Sequence, residues 1–355
     1  MADRLTRRSV LKTAGALGAA VAAGRIAMPA VARADDPVLR ITTWGGKWGE
    51  IMKGEVLPAF ERAYQCKVEV DSAFPFYPKL LTSPRSKPIY DVFHTNSNEQ
   101  WAAVEQGLIE PKFDARQVPN IADVYPYAVS DKIVGVSIFT SAVGLAYRTD
   151  KIATAPTSWK DLWDPQYAGM RGSYVVPANS LGQMLLMFAG KLYGGGLQDM
   201  DAAFKAFERL KPIRQVDFTG TMEKILLAGE VNIGELHDSG VYRYNDQKPR
   251  PPLGFVAPSE GVLALEQVLA VTKGSDKKEL GYAYVNYMLA PENQRKLAEA
   301  VWYSPSNRNV VLGPEYQDKL LTTEAKVATL VQFDWKWYNA RADEINDRYN
   351  RLFRG

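Results

Sequence analysis

Two stretches place hydroxyl groups where a strand gives way to a helix, Ser180 and Thr219-Gly220-Thr221. Exposed N–H groups and the helix dipole make such a start a site for an anion, and the same hydroxyls serve as simple caps. Trp44 and Trp48 flank a glycine turn, Gly45-Gly46-Lys47. A flat indole stacks on an ammonium group or covers a methylene chain, or else packs into a core. Asn96 and Asn98 sit in the polar run His94-Thr95-Asn96-Ser97-Asn98, where asparagines also form Asx turns. His94 and His237 are the only two histidines, and a metal site needs both, or one with carboxylates and tyrosines. Cys66 stands alone, which excludes an intramolecular disulfide and a cysteine-rich metal site and leaves a small buried hydrophobe. No G-x-S-x-G, Walker A or H-E-x-x-H motif occurs, and the glycines at 45, 46 and 49 lack dinucleotide-fingerprint spacing.

These groups need elements to position them. Strands are predicted over 39–44, 68–70 and 89–93 and helices over 50–64 and 99–106, with His94 to Asn98 as the loop into the last. The first helix contains Pro58 and requires a kink or a late start. A glycine turn closing a parallel strand can face a ligand, and the strand–helix alternation itself predicts a parallel sheet. The apolar run 133–147 reads as a buried strand, or as two short strands meeting at Gly144. Ser158 is a plausible N-cap for one helical turn over 159–163, closed by Asp164-Pro165 and followed by a strand over 174–177. Helices over 183–193, 201–210 and 222–228 then alternate with strands over 216–218 and 231–235. Asp238-Ser239 caps a helix carrying Tyr242 and Tyr244, 262–271 is a second long apolar strand, and two helices cover 278–289 and 291–300.

The amino terminus is of a different kind. Thr6-Arg7-Arg8-Ser9-Val10-Leu11-Lys12 precedes a run of mostly Ala and Gly over 14–23, too short and weakly apolar to span a bilayer. Ala32-Arg33-Ala34 supplies a small-x-small cleavage pattern, so 1–34 reads as a secretory signal of the twin-arginine type, cut before Asp35. A retained basic anchor is the alternative, and no lipobox cysteine follows the run. The formal charge of +3 belongs to this segment: beyond residue 34 the chain holds 37 Lys and Arg against 39 Asp and Glu. A basic pI is therefore no argument for nucleic acid, and no run of five like charges exists. The remaining 321 residues suggest about two domains.

A wider pattern runs through the chain. V-G-L-x-Y-R-x-D followed by P-T-S-W-K-D-L-W-D-P-x-Y-x-G spans 143–169. Tyr90-Asp91-Val92 with Gly107-Leu108-Ile109, then 229–234 (GEVNIG), then Tyr303-Ser304-Pro305-Ser306-Asn307 follow the same family order. In these motifs the chain resembles the bacterial extracellular solute-binding proteins of ABC transporters, specifically the spermidine/putrescine-binding branch. The resemblance implies an α/β, two-lobed periplasmic-binding-protein fold (type II), each lobe a mostly parallel sheet flanked by helices. It implies lobe I over 35–140 and 268–305 and lobe II over 141–267 and 306–355. Crossings are expected at 133–147, 262–271 and 303–307, with the helical remainder on lobe II.

The same resemblance implies a ligand held between the lobes by hinge closure, lined by the turn Trp44, Gly45, Gly46, Trp48 and by Asn96 and Asn98. In the polyamine branch carboxylates pair with ammonium groups and tryptophans line the methylenes. Here Asn179 and Gln267 align with two of those acids, Gly182 with another, and His237 and Leu265 with tryptophans, whereas Tyr303 is kept. Glu235, Asp238 and Glu266 are neighbours able to substitute, although a one-residue shift in a strand reverses the face. Losing two acids leaves a polyamine poorly neutralised. The expected ligand is a small amine-containing solute, an amino-acid-like zwitterion or mono-amine ranked alongside putrescine and above spermidine. The expected partners are that small molecule, an ABC permease with its ATPase, and the twin-arginine translocase during export. The protein is expected to be a periplasmic monomer without cofactor or metal and without catalytic residues. The alternatives are a ferric-ion-binding transport protein, whose relatives use an adjacent tyrosine pair where this chain has only Tyr242-Arg243-Tyr244, and an exported α/β enzyme.

Overall fold

The computed structural model describes residues 36–244 and 247–354. The signal sequence and its cleavage site lie outside the described residues. The strands are β1 (Val38–Thr42), β2 (Lys67–Asp71), β3 (Val92–Asn96), β4 (Val136–Arg148), β5 (Arg171–Tyr174), β6 (Arg214–Val216), β7 (Ile233–His237), β8 (Leu253–Val256), β9 (Val262–Val271), β10 (Ser304–Pro305) and β11 (Leu330–Val331). They form two lobes on one continuous path, β2-β1-β3-β9-β4-β7-β5-β6, with β8 and β10 on β4 and β11 on β9.

The two apolar runs cross between the lobes. β4 and β9 pair antiparallel from Val136↔Leu269 to Val143↔Leu263. The far half of β9 then pairs with β3 in lobe I, and the far half of β4 with β7 in lobe II. Every residue of β9 is buried, as are the first eleven of β4, which is why both read as largely apolar runs, interrupted by Glu266-Gln267 in β9 and by Ser137, Thr140 and Ser141 in β4. β4 is one strand and does not divide at Gly144. The glycine is required because a Cβ there would stand 2.3 Å from Val256 O of β8. Around this pair, β1, β2 and β3 run parallel in lobe I, and β5, β6 and β7 run parallel in lobe II.

Several boundaries differ from the sequence expectation. β3 starts three residues late and takes in His94-Thr95-Asn96, because the antiparallel ladder with β9 runs on through His94↔Leu269, Thr95↔Val268 and Asn96↔Gln267, and Thr42 Oγ1 on the other side donates to His94 O (2.9 Å) and accepts from His94 N (2.7 Å). Pairing with β9 thus extends the strand through residues whose polarity reads as loop. β5 starts at Arg171 and β7 ends at His237, each shifted from its most β-branched stretch by the pairing with its neighbour. The first helix, α1 (Gly46–Ile51), begins at the glycine turn and continues as a π-turn (Met52–Val56) into α2 (Leu57–Tyr64). The wide π-turn accommodates Pro58, which has no N–H to offer the carbonyl one turn back.

The remaining helices are α3 (Tyr77–Thr82), α4 (Ser97–Glu105), α5 (Ser180–Tyr193), α6 (Met200–Arg209), α7 (Thr219–Ala228), α8 (Ser239–Tyr242), α9 (Lys278–Met288), α10 (Pro291–Val301), α11 (Pro314–Gln317), α12 (Glu324–Val327), α13 (Trp335–Asn339) and α14 (Ala342–Arg354). Ser158 caps its turn as expected, in a capping box with Asp161. Trp159, fully buried, donates Nε1 to Gly261 O at 2.8 Å and so fastens the entrance of lobe II to the start of β9.

The apolar core divides between the lobes. Phe60, Phe139, Tyr284 and Leu297 belong to one cluster, and Trp159, Tyr174, Phe188 and Phe207 to another. Leu312, Leu320, Leu321 and Val327 pack with the first, while Tyr338, Ile345 and Tyr349 pack with the second. The stretch 306–327, expected in lobe II, therefore packs on lobe I. Tyr303 to Asn307 is likewise not the third crossing: β10 runs back along β4, Ser304 opposite Thr140. The third crossing is β11, parallel to β9. Its signal was a mere two residues, too short to show periodicity. Cys66 is buried, and burial pushes its thiol up to about 11, consistent with an inert core position.

Candidate functional site

In open α/β sheets ligands sit beyond the carboxyl ends of the strands. Here the ends of β1 and β3 in lobe I and of β5, β6 and β7 in lobe II lead into segments that carry expected site residues. β4 and β9 run between them as a shared floor.

On the lobe I side, Trp44 is half-buried against Phe74, Phe76 and His94, and its Nε1 donates to Gln267 Oε1 of β9. Asn96 lies opposite Gln267 in the β3–β9 register, and its Oδ1 is buried without a partner. Trp44, Asn96 and Gln267 are therefore one group. Gly45 and Gly46 are exposed, with open space where a Cβ would stand. Trp48 belongs to the core: it is 4% exposed and donates Nε1 to Thr43 Oγ1 at 2.7 Å. Its ring lies 5.7 Å from that of Tyr303, so it supports the site from behind. Thr43 in turn bonds His94 Nδ1 at 3.0 Å, and full burial lowers that imidazole to about 3, keeping it neutral. Asn98 is in the first turn of α4 rather than in a loop. Its carbonyl accepts from Asn339 Nδ2 at 2.9 Å, and its Nδ2 reaches Gln183 Oε1 of α5 at 3.5 Å.

On the lobe II side, the cap of α5 is Asn179 and not Ser180, which is the first helical residue. Asn179 accepts from Leu181 N at 2.9 Å and donates to Asp217 O at 3.0 Å, so both ends of its amide are engaged. Gly182 has no room for a side chain, since a Cβ would lie 2.7 Å from Tyr174 O. α7 opens at Thr219, three residues before its predicted start, with Phe218 at the N-cap and no side-chain cap, and Thr219, Gly220 and Thr221 are half-buried. Glu235 is fully buried between β5 and β7 and accepts from Tyr174 N at 3.2 Å and Ser173 Oγ at 3.3 Å. Burial raises its carboxyl to about 8. His237 accepts at Nδ1 from Gly240 N (3.0 Å) and bonds Ser239 Oγ (2.7 Å), which places its proton on Nε2. Burial lowers it to about 4.

Glu235 Oε2 and one oxygen of Asp238 are buried without a partner, and of these two acids only Asp238 lies beyond its strand. It stands just past the end of β7, tied by its N–H to Ala142 O of β4 at 2.8 Å. One carboxylate oxygen caps Ser239 N at 2.8 Å. The other, Oδ2, is buried without a partner, and the residue is 0% exposed. Desolvation pushes its carboxyl up to about 8. Tyr303 is half-buried between Trp48 and Phe139, hydrogen-bonds Ser239, and is pushed up to about 12 by burial first and by Asp238 second. Tyr242 is raised for the same two reasons. Asp238, Ser239, Tyr242 and Tyr303 thus meet at one point.

Glu266 faces away from Gln267 and has both oxygens taken, by Ser97 Oγ (3.0 Å) and by Gln332 Nε2 (3.1 Å) next to the third crossing. Residues given no role from sequence also lie here: Ser141 of β4, whose Oγ is buried without a partner, and Arg243, ion-paired with Glu223. A buried serine in an apolar strand carries no sequence signal, and the Arg243–Glu223 pair depends on two helices meeting. The two histidines have separate partners, and among the described residues no group of three His, Cys, Asp or Glu could hold a metal. Nor is any described helix long and apolar enough to cross a membrane.

Residues 55–323 match the family model described as "Bacterial extracellular solute-binding protein". A gamma-aminobutyric acid-binding protein from Pseudomonas aeruginosa is 25% identical over 335 residues, covering 92% of this chain and 93% of its own length. The spermidine/putrescine-binding periplasmic protein of Escherichia coli is 24% identical over 347 residues, covering 93% and 95%. A crystal structure of an extracellular solute-binding protein from Bordetella parapertussis superimposes with a TM-score of 0.75 at 27% identity, over 90% of this chain and 100% of that one. The chain therefore belongs to the bacterial extracellular solute-binding proteins, the periplasmic, non-enzymatic ligand-capturing components of ABC importers.

Proposed function

We propose that the cleft captures a small solute bearing a primary ammonium group, received by Asp238 with Tyr303 at its side, and presents it to an ABC permease and its ATPase. The observation that carries this is the Asp238 carboxylate, fully buried between the lobes with Oδ2 unpartnered. A buried carboxylate is costly unless a cation meets it. γ-Aminobutyrate and the polyamines named for the two relatives share an alkylammonium end. Trp44 supplies an aromatic face in lobe I, and the starts of α5 and α7 supply N–H groups for an anionic far end. Closure about β4, β9 and β11 brings the lobes together, with the contact of Asn98 to Gln183 as one point where they meet. The division into lobes follows the two cores, with 306–327 assigned to lobe I. Arg7-Arg8 directs the folded monomer through the twin-arginine translocase.

The long triamine ranks below the short ligands. Asn179 is used as a cap, Gly182 has no room for an acid, and Gln267 already accepts from Trp44. Asp238 and Glu235 each keep one unpartnered oxygen, but Glu235 lies within the β5–β7 pairing, and the one such carboxylate beyond the strand ends suits one ammonium. Calorimetric titration of γ-aminobutyrate, putrescine and spermidine into ligand-free protein tests this. Either short ligand is expected to bind at least tenfold tighter than spermidine, about 1.4 kcal/mol. Spermidine binding tighter than both by tenfold overturns the ranking, and no binding by any of the three overturns the amine reading.

A further inference from the structure

The second end group of the ligand is governed by a different pair of residues. Arg243 N donates to Ser239 O at 3.3 Å, so Arg243 lies one helical turn beyond Ser239, on the face that carries the serine bonded to Tyr303. Its guanidinium is ion-paired with Glu223, in the first turns of α7. The two partners are unequal: the Arg243 side chain is 49% exposed, whereas that of Glu223 is 5% exposed. Glu223 also accepts from Tyr244 Oη at 3.4 Å. A Cβ on Gly240 would meet Glu223 Oε1 and His237 Cε1, each at 3.1 Å, which puts this carboxylate beside the imidazole next to Asp238. From residue 238 to 243 the helical rise is about 7.5 Å, comparable to a short extended chain between two end groups.

Beyond the strand ends this region thus contains two buried acids, Asp238 and Glu223, and one permanent cation that cancels the second, while Glu235 stays within the β5–β7 pairing. Without Arg243, Glu223 is a receptor for a second ammonium. With it, the half-exposed guanidinium beside the start of α7 is a receptor for a carboxylate. We propose that the Arg243–Glu223 ion pair is the specificity determinant of the cleft, withholding Glu223 from diamines and offering Arg243 to the carboxylate of an ω-amino acid. This rests on Asp238 as the receptor of the first ammonium.

The test is calorimetric titration of putrescine and γ-aminobutyrate into wild-type, Arg243→Gln, Glu223→Gln and Arg243→Lys proteins. Arg243→Gln is expected to move the ratio of the two Kd values toward putrescine by about tenfold or more, and Glu223→Gln to move it toward γ-aminobutyrate. Arg243→Lys retains the charge and is expected to keep the wild-type order. A merely structural pair would weaken both ligands alike. Ratios that stay within twofold in both variants, or that move in the same direction, overturn the assignment while leaving the amine reading intact. Wild-type protein that binds neither ligand overturns that reading, and this assignment with it.

Discussion

Asp238→Asn is expected to weaken binding of the amine ligand by about 100-fold or more while leaving the fold intact. The amide keeps an oxygen for Ser239 N, so the start of α8 retains its cap. What is lost is the charge opposite the ammonium, and truncating one partner of a buried charge pair costs about 2–5 kcal/mol. The sign on stability is opposite. In ligand-free protein the carboxylate is fully buried with Oδ2 unpartnered, so its ionised form weakens the fold, and the neutral amide removes that penalty. Thermal denaturation at pH 8 without ligand should give a midpoint no lower than wild type, while calorimetry shows the loss of affinity. An unfolded variant, or one that binds normally, contradicts this role.

Affinity should rise steeply between pH 6 and pH 8. Burial holds the Asp238 carboxyl at about 8, above the ordinary range near 4. The ligand-free protein therefore carries a proton there at neutral pH, and an ammonium must displace it. Below pH 8 each pH unit should tighten binding by up to about tenfold, with one proton released per ligand. The ammonium itself, titrating near 10, stays charged throughout. Stability of the ligand-free form runs the other way. An acid whose folded value is raised holds its proton more firmly when folded, so its contribution is full below about 4 and is lost as pH rises to about 8. Glu235 adds the same sign up to about 8, and Glu266 and Glu99 up to about 7. His94 and His237 oppose them only below about 6.5, where the unfolded chain protonates its imidazoles and the folded one does not. From pH 7 to 8 the acids alone decide, and the thermal midpoint should fall. Calorimetry at pH 6, 7 and 8 with matched melting curves checks both slopes, and a flat affinity across that range contradicts the assignment.

Much of the fold was legible because burial leaves a pattern. β4 and β9 are buried on both faces and read as apolar runs, and Ser158 caps its turn where the spacing put it. Elements failed to be legible where pairing overrode composition. His94 to Asn96 are polar yet sit in β3 because they pair with Gln267 to Leu269 of β9. β11 is two residues long and exists only through its partner β9. At the site, the resemblance drew attention to Asp238 and Tyr303, but nothing in the sequence distinguished Asp238 from Glu235 or Glu266. That distinction lies in partners and place: both oxygens of Glu266 are taken, Glu235 has Oε1 engaged by β5 and Oε2 buried within the β5–β7 pairing, and Asp238 alone of the three stands beyond its strand next to Tyr303. Asn179 caps α5 in place of Ser180, its carboxamide reaching both Leu181 N and Asp217 O.

The most direct test is a crystal structure of the mature protein with γ-aminobutyrate or putrescine bound. The expected result is one ligand between the lobes with an ammonium nitrogen about 2.7–3.2 Å from Asp238 Oδ2 and in contact with Tyr303. A ligand bound with no nitrogen in contact with Asp238, or bound outside the cleft, contradicts the account.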